Sequence, residues 1–153
     1  MKAEAPAKAA PQTLFALPCA CQNLRRLTRM VTRIYDQELR KTGIEVTQFG
    51  LLTALAAAGE TNQKTLSAGF AMDSTTLTRT LRILLREGWV AARRGKDRRE
   101  RRFILTKRGK RRLAEAQPYW QFAEERLRRK LGNAGWRRMG DTVSQMTEAA
   151  AEA

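Results

Sequence analysis

The sequence predicts a mainly α-helical chain that carries one small β-hairpin, and three observations predict it. Apolar residues recur at three- and four-residue steps along most of the 153 residues, the period of helices buried on one face. That period is interrupted between Gly88 and Thr106, where Trp89-Val90-Ala91 and Arg102-Phe103-Ile104-Leu105 read as two strands. The segment between them, RRGKDRRER, has turn chemistry at Gly95 and Asp97. Charge is also uneven: residues 73–112 hold 15 Lys or Arg against 4 Asp or Glu, so +11 of the chain's +15 lies there. A pair of short helices followed by a basic hairpin is the order of a winged helix-turn-helix. N- and C-terminal helices that form a homodimerisation base are expected to flank it.

Taken in order, residues 1–17 (MKAEAPAKAAPQTLFAL) are Ala/Pro/Lys-rich and read as a flexible tail. Residues 18–42 predict one dimerisation helix, with Leu24, Leu27, Val31, Ile34 and Tyr35 on one face and Thr42-Gly43 as its stop. Residues 43–106 predict the DNA-binding domain. Its first helix is TQFGLLTALAAAG, with Thr47 as N-cap, Phe49, Leu51, Leu52 and Leu55 packing, and Gly59 as stop. Thr61-Asn62 then caps QKTLSAGF, whose Leu66 and Phe70 point inward. The next helix opens on Asp73 and Ser74, side chains that accept from free N–H groups of a first turn. Leu77, Leu81, Leu84 and Leu85 form its packing face, while Thr75, Thr76, Thr78, Arg79, Arg82 and Arg86 fall largely opposite. The hairpin follows. Residues 107–151 predict the C-terminal dimerisation helices, capped first by Thr106. Leu113, Ala116, Trp120, Ala123, Leu127 and Leu131 mark one stripe, and Pro118 inside it predicts a kink or boundary. Asn133 can cap a last helix with Trp136, Met139, Val143 and Met146. These stripes exceed what a small winged helix covers, and a symmetric dimer would bury them.

Composition narrows the function classes. A net charge of +15 and a pI near 11 attract polyanions, which makes nucleic acid the leading partner and an anionic membrane surface a distant second. No run approaches the roughly 18 apolar residues of a membrane span. Pro6, Pro11 and Pro18 break the N-terminal segment, so it lacks the continuous apolar core of a signal peptide, and a cytoplasmic location is expected. The chain has no histidine and only two cysteines, Cys19 and Cys21. It therefore lacks the commonest general base and the Ser-His and Cys-His pairs of nucleophilic catalysis. One chain cannot close a zinc site, which needs about four N or S ligands. No enzymatic activity, metal or cofactor is expected.

The helix DSTTLTRTL at 73–81, its end REGWV at 86–90, and the hairpin Asp97-Arg98-Arg99 followed by FILTKRG to Gly109 together resemble the MarR family of bacterial transcription regulators. The likeness spans about residues 20–150. It implies a triangular homodimer, with the first and last helices as base and one winged helix per subunit on double-stranded DNA. It places Ser74, Thr75, Thr76, Thr78, Arg79 and Arg82 on or near the major groove, where arginine suits guanine edges and threonine suits phosphates or a thymine methyl. Asp97 would brace Arg99 so that an arginine at the hairpin tip enters a narrow minor groove. Arg93, Arg94, Lys96, Arg98, Arg101 and Arg102 would position the backbone without reading sequence. Two-fold symmetry implies a pseudo-palindromic operator with half-sites about one helical turn apart.

The resemblance also implies a switch. Family members commonly leave DNA when a small aromatic or phenolic compound binds between dimer base and winged helix. Candidates for such a pocket are Phe49, Leu52, Trp89 and Trp120, with Arg25 or Arg29 as counter-charge for an acidic effector. A branch of the family senses organic hydroperoxides through one cysteine near the start of the first helix, and Cys21, 14 residues before Tyr35, has that spacing. The tyrosines of that branch are absent apart from Tyr35. The alternatives for Cys19 and Cys21 are small buried side chains at the dimer interface, a redox thiol, or half of a metal site shared across a dimer. A ligand-relieved repressor, a hydroperoxide-sensing regulator and a non-specific architectural binder remain as functional readings at the level of sequence.

Overall fold

The structure, a computed structural model, describes residues 19–95 and 100–152; the expected N-terminal tail and the hairpin tip lie outside them. The element order is α1 (Ala20–Leu39), a 3-10 turn (Arg40–Thr42), α2 (Val46–Ala58), β1 (Thr61–Asn62), α3 (Gln63–Phe70), α4 (Ser74–Arg86), β2 (Val90–Arg94), β3 (Arg101–Leu105) and α5 (Lys107–Glu152). Two compact units divide this chain, one ending at Arg33 and the other beginning at Ile34. In the first, Leu24 and Leu27 of the predicted apolar face are exposed, and so is Met30.

In the second unit α1 ends at Leu39, ahead of the predicted stop, and the 3-10 turn that follows is closed at Thr42-Gly43, with Gly43 left-handed at φ 72° and its N–H donating to the Arg40 carbonyl. The start of α2 differs from expectation. The Val46 N–H donates to Asp36 Oδ1 at 2.8 Å and the Glu45 N–H to Gln48 Oε1 at 3.2 Å. With those orphan first-turn donors satisfied, Glu45 is the cap and Thr47 lies inside the first turn. Leu51, Leu52 and Leu55 of α2 pack with Leu39, Ile44, Leu77, Leu84 and Phe103 as the fully buried apolar side chains. Each contributes roughly 1.5–3 kcal/mol by leaving water.

The sheet is antiparallel in the order β1-β3-β2. Thr61-Asn62, expected only to cap α3, also forms a two-residue strand opposite Phe103 and Arg102. Asn62 still caps, its Oδ1 accepting from the Thr65 N–H at 2.8 Å. The hairpin is longer than its apolar residues suggested, because Arg93 and Arg94 pair with Arg102 and Arg101. Trp89, expected in the strand, precedes it and is buried.

The α5 cap is the predicted one: Thr106 Oγ1 accepts from the Gly109 N–H at 3.0 Å. Ala116 and Ala123 of the predicted stripe are fully buried. The expected break at Pro118 is not there. Backbone angles depart from helical at Gly132 instead, with φ 68° and ψ 165°. Pro118 and Ala114, whose carbonyl the proline leaves unbonded, are both exposed, so water can satisfy that group. Gly132 takes a positive φ that side chains resist. Beyond it, Asn133 Oδ1 accepts from Arg128 at 3.3 Å.

Gly109 sits where no side chain fits, since an added Cβ would lie 2.1 Å from the Trp89 carbonyl oxygen. Gly69, in α3, has open space around the same position. Gly109→Ala is expected to destabilise the fold by about 3 kcal/mol through overpacking, and Gly69→Ala to stabilise it by about 0.5–1 kcal/mol. Chemical denaturation of both variants checks this; equal effects would contradict the close approach.

Candidate nucleic-acid interface

The sequence of α4 separates its two faces cleanly. Leu77, Thr80, Leu81 and Leu84 are buried, and Thr80 hides its hydroxyl by donating to the Thr76 carbonyl at 3.1 Å. Ser74, Thr75, Thr78, Arg79 and Arg82 lie together along one open hollow on the outer face. Thr76, expected among them, is exposed but committed to the cap. Its N–H and its hydroxyl both donate to the Asp73 carboxylate, at 2.8 and 2.6 Å. Arg86, at the far end of the helix, pairs with Glu87 at 3.3 Å.

The hairpin carries a second cationic surface. Arg93 faces Arg102, and Arg94 faces Arg101, across the ladder. Like charges directly opposite one another destabilise a strand pair, so these four arginines are not explained by stability. Two carboxylates temper one pair: Arg102 lies 3.6 Å from Glu100 and 3.8 Å from Glu60. Glu100 also accepts from the Asn62 amide at 2.6 Å, joining the hairpin to the cap of α3. Gly95 lies close beside it, where an added Cβ would meet Glu100 Oε2 at 2.7 Å and the carboxylate would have to shift. Lys96, Asp97, Arg98 and Arg99, with the expected Asp97–Arg99 brace, lie outside the described residues.

The candidate effector residues fall in both units. Phe49 and Trp120 stack at 5.7 Å between centroids. Phe49, Leu52 and Trp89 are buried in the core. Arg112, unremarked in the sequence, lies over the Trp89 ring at 5.5 Å and donates to the Thr42 carbonyl at 2.9 Å. Arg25 and Arg29 share a shallow hollow on α1 with Cys21, Leu24 and Thr28. Cys19 and Cys21 are both exposed in this chain. The Tyr35 hydroxyl is engaged by Glu124. Burial, then that hydrogen bond and the carboxylate's charge, raise its pKa above the ordinary tyrosine value.

Among the described residues, no group of three or more His, Cys, Asp or Glu could hold a metal ion, and no helix is long and apolar enough to cross a membrane. Sequence reasoning missed Asn62 as a tie to the hairpin, and Gln63, whose amide donates to Thr78 Oγ1 at 2.8 Å. The only signal for either was their place at a helix start.

Known proteins bear on this geometry. The sequence pattern that defines the MarR family matches residues 44–100. An uncharacterized HTH-type transcriptional regulator, YwoH of Bacillus subtilis (strain 168), is 28% identical over 92 residues, covering 60% of this chain and 67% of that relative. The crystal structure of the M. tuberculosis transcriptional regulator MosR in complex with DNA is similar at a TM-score of 0.79 and 31% identity, covering 88% of this chain and 97% of that one. A mutant of E. coli MarR complexed with operator DNA shares the fold at a TM-score of 0.75 and 20% identity, covering 82% of this chain and 91% of that one.

The cap of α4 gives a pH signature. Asp73 titrates below the usual carboxylate range, first because the Thr76 hydroxyl donates to it and second because the Thr76 N–H does. A lowered folded pKa means that this stabilisation is complete above the unfolded value of about 3.9 and is lost as pH falls below it. Asp73→Asn keeps one of the two acceptors, so its thermal stability is expected to lie slightly below wild type near neutrality and to fall less steeply below about pH 4. An unchanged acid limb would contradict the assignment.

Proposed function

Because the chain belongs to the MarR family of transcription regulators, we propose that it is a homodimeric, sequence-specific DNA-binding repressor whose operator binding is relieved by a small aromatic or phenolic effector. The observation that carries the DNA-binding part is the outer face of α4, where Ser74, Thr75, Thr78, Arg79 and Arg82 line one hollow. Such a helix lies in the major groove with its early residues on base edges. Arg79 and Arg82 are the guanine readers, and Ser74, Thr75, Thr76 and Thr78 contact phosphates or base edges.

Arg94, Lys96 and Arg98 hold the backbone, and Arg99, braced by Asp97, enters the minor groove. The like-charged hairpin pairs support this role, since phosphates would relieve the repulsion. MosR and E. coli MarR, solved with DNA, support DNA as the partner.

The homodimer rests on exposed apolar side chains at both ends of the described chain: Leu24, Leu27 and Met30 on α1, and Leu131, Val143 and Met146 on α5. Residues 18–42 and 107–151 would form the base, and residues 43–106 the DNA-binding module. The effector reading rests on the family and on the aromatic side chains Phe49, Trp89 and Trp120, with Arg25 and Arg29 as cations. One observation favours a second trigger: Cys21 is exposed in a hollow with Arg25 and Arg29, where a dissolved oxidant can reach its sulfur.

Selection from random duplexes is the test. A preferred site is expected, bound at least about a thousand-fold more tightly than random DNA at fixed salt. Arg79→Ala should relax the preference at one base position by roughly 1–3 kcal/mol, and Arg99→Ala should weaken binding and lower the salt slope. Equal affinity for selected and random duplexes would leave only an architectural binder. Aromatic acids are expected to release the selected duplex. Release by an organic hydroperoxide that survives Cys21→Ser would exclude the thiol trigger.

A further inference from the structure

Thr78 differs from five other helical threonines in what its hydroxyl does. Thr53, Thr80, Thr142 and Thr147 each donate to the carbonyl four residues earlier, and Thr76 donates to Asp73. Thr78 accepts instead. The Gln63 amide nitrogen, at the start of α3, donates to its Oγ1 at 2.8 Å. A hydroxyl has one proton and two lone pairs. With a lone pair taken by Gln63, the Thr78 proton has no protein acceptor among the described residues, and it lies on the exposed face with Ser74, Thr75, Arg79 and Arg82.

The bond is a poor candidate for a structural tie. Both partners are exposed to water, which would satisfy each of them if they separated, so little net stability comes from it. It crosses from α3 to α4 at the rim of a groove floored by Leu81, Leu85 and Phe103, with Arg82 and Arg101 beside it. A neutral donor held between two cations suits an acceptor that is itself anionic or lies in an anionic setting.

We propose that Gln63 is a positioning residue for DNA binding: by donating to Thr78 Oγ1 it keeps the Thr78 proton turned outward, as a donor to an acceptor atom on the duplex. This rests on the reading of α4 as the DNA-contacting helix. It adds a residue outside that helix and fixes the polarity of one contact. Without Gln63, Thr78 would turn its proton inward to the Ser74 carbonyl, as Thr53, Thr80, Thr142 and Thr147 turn theirs to the carbonyl four residues earlier. The acceptor is a phosphate oxygen or a major-groove acceptor on a base, such as guanine O6 or N7 or thymine O4.

The test is a double-mutant cycle on full-length protein, with Gln63→Leu, Thr78→Val and the double variant bound to selected and to random duplexes. Each single change is expected to weaken binding to the selected duplex roughly five-fold per subunit, the size of one neutral hydrogen bond. The double variant should be no weaker than Thr78→Val alone, and unfolding midpoints should not move. Equal losses on selected and random duplexes would place the acceptor on phosphate; a loss confined to one base position would place it on a base. Wild-type affinity in Gln63→Leu, additive losses in the double variant, or a midpoint that falls with the affinity would each overturn the proposal. If wild-type protein itself does not prefer the selected duplex, the reading of α4 fails, and this proposal with it.

Discussion

One carbonyl holds the working parts together. The Trp89 oxygen accepts from the Thr106 N–H at 3.0 Å and from the Thr106 hydroxyl at 3.1 Å, while that hydroxyl also reaches the Gly88 carbonyl at 2.7 Å. Gly109 leaves out its side chain so that the first turn of α5 can lie against the same oxygen. Arg112, one turn further, covers the Trp89 ring and donates to the Thr42 carbonyl. The end of α4, the root of the hairpin, the start of α5 and the turn after α1 thus meet within a few residues. A shift in any of them must move the others, because packed junctions transmit displacement rather than absorb it.

Around that joint, the outward residues oppose stability and the inward ones supply it. Leu77, Leu81 and Leu84 anchor α4, and Phe103 and Leu105 anchor β3. The outer faces hold arginine opposite arginine on the hairpin and a row of hydroxyls and guanidinium groups on α4. Glu60 and Glu100 sit near Arg102 rather than near Arg93 or Arg94, so part of the hairpin's charge is left for a partner. An acid cap on α4 fits the same pattern. Asp73 holds the first turn and engages the Thr76 N–H and hydroxyl, beside the outward Ser74, Thr75, Thr78, Arg79 and Arg82.

Much of this was legible in the sequence because single residues carry unambiguous local chemistry. Gly43 closes the turn after α1, Asp73 and Asn62 cap their helices, Thr106 opens α5, and the leucine spacing of α4 assigns its two faces. The misses have equally local causes. A two-residue strand has no alternation to read, so β1 was invisible. Arg93 and Arg94 look like loop by charge, and only the partner strand makes them ladder residues. Thr47 is a good cap by type, but Asp36, ten residues before Val46, supplies the acceptor that starts α2 earlier. Pro118 reads as a break only if its orphaned carbonyl is buried, and it is not. The tie between Gln63 and Thr78 spans 15 residues and leaves no periodic trace. Of the candidate site, the exposed face of α4 follows from its leucine spacing, whereas the aromatic side chains considered for an effector prove to be largely core.

In the proposed dimer, two copies of one basic surface are held at a fixed separation and meet two half-sites on the same side of a duplex. Hydroxyl-radical footprinting of the selected duplex tests this most directly. Two protected tracts are predicted on one face of the DNA, centred about one helical turn apart and related by a dyad, with two chains bound per duplex. A single tract with one chain bound, or protection that spreads evenly along the DNA as protein is added, would contradict it.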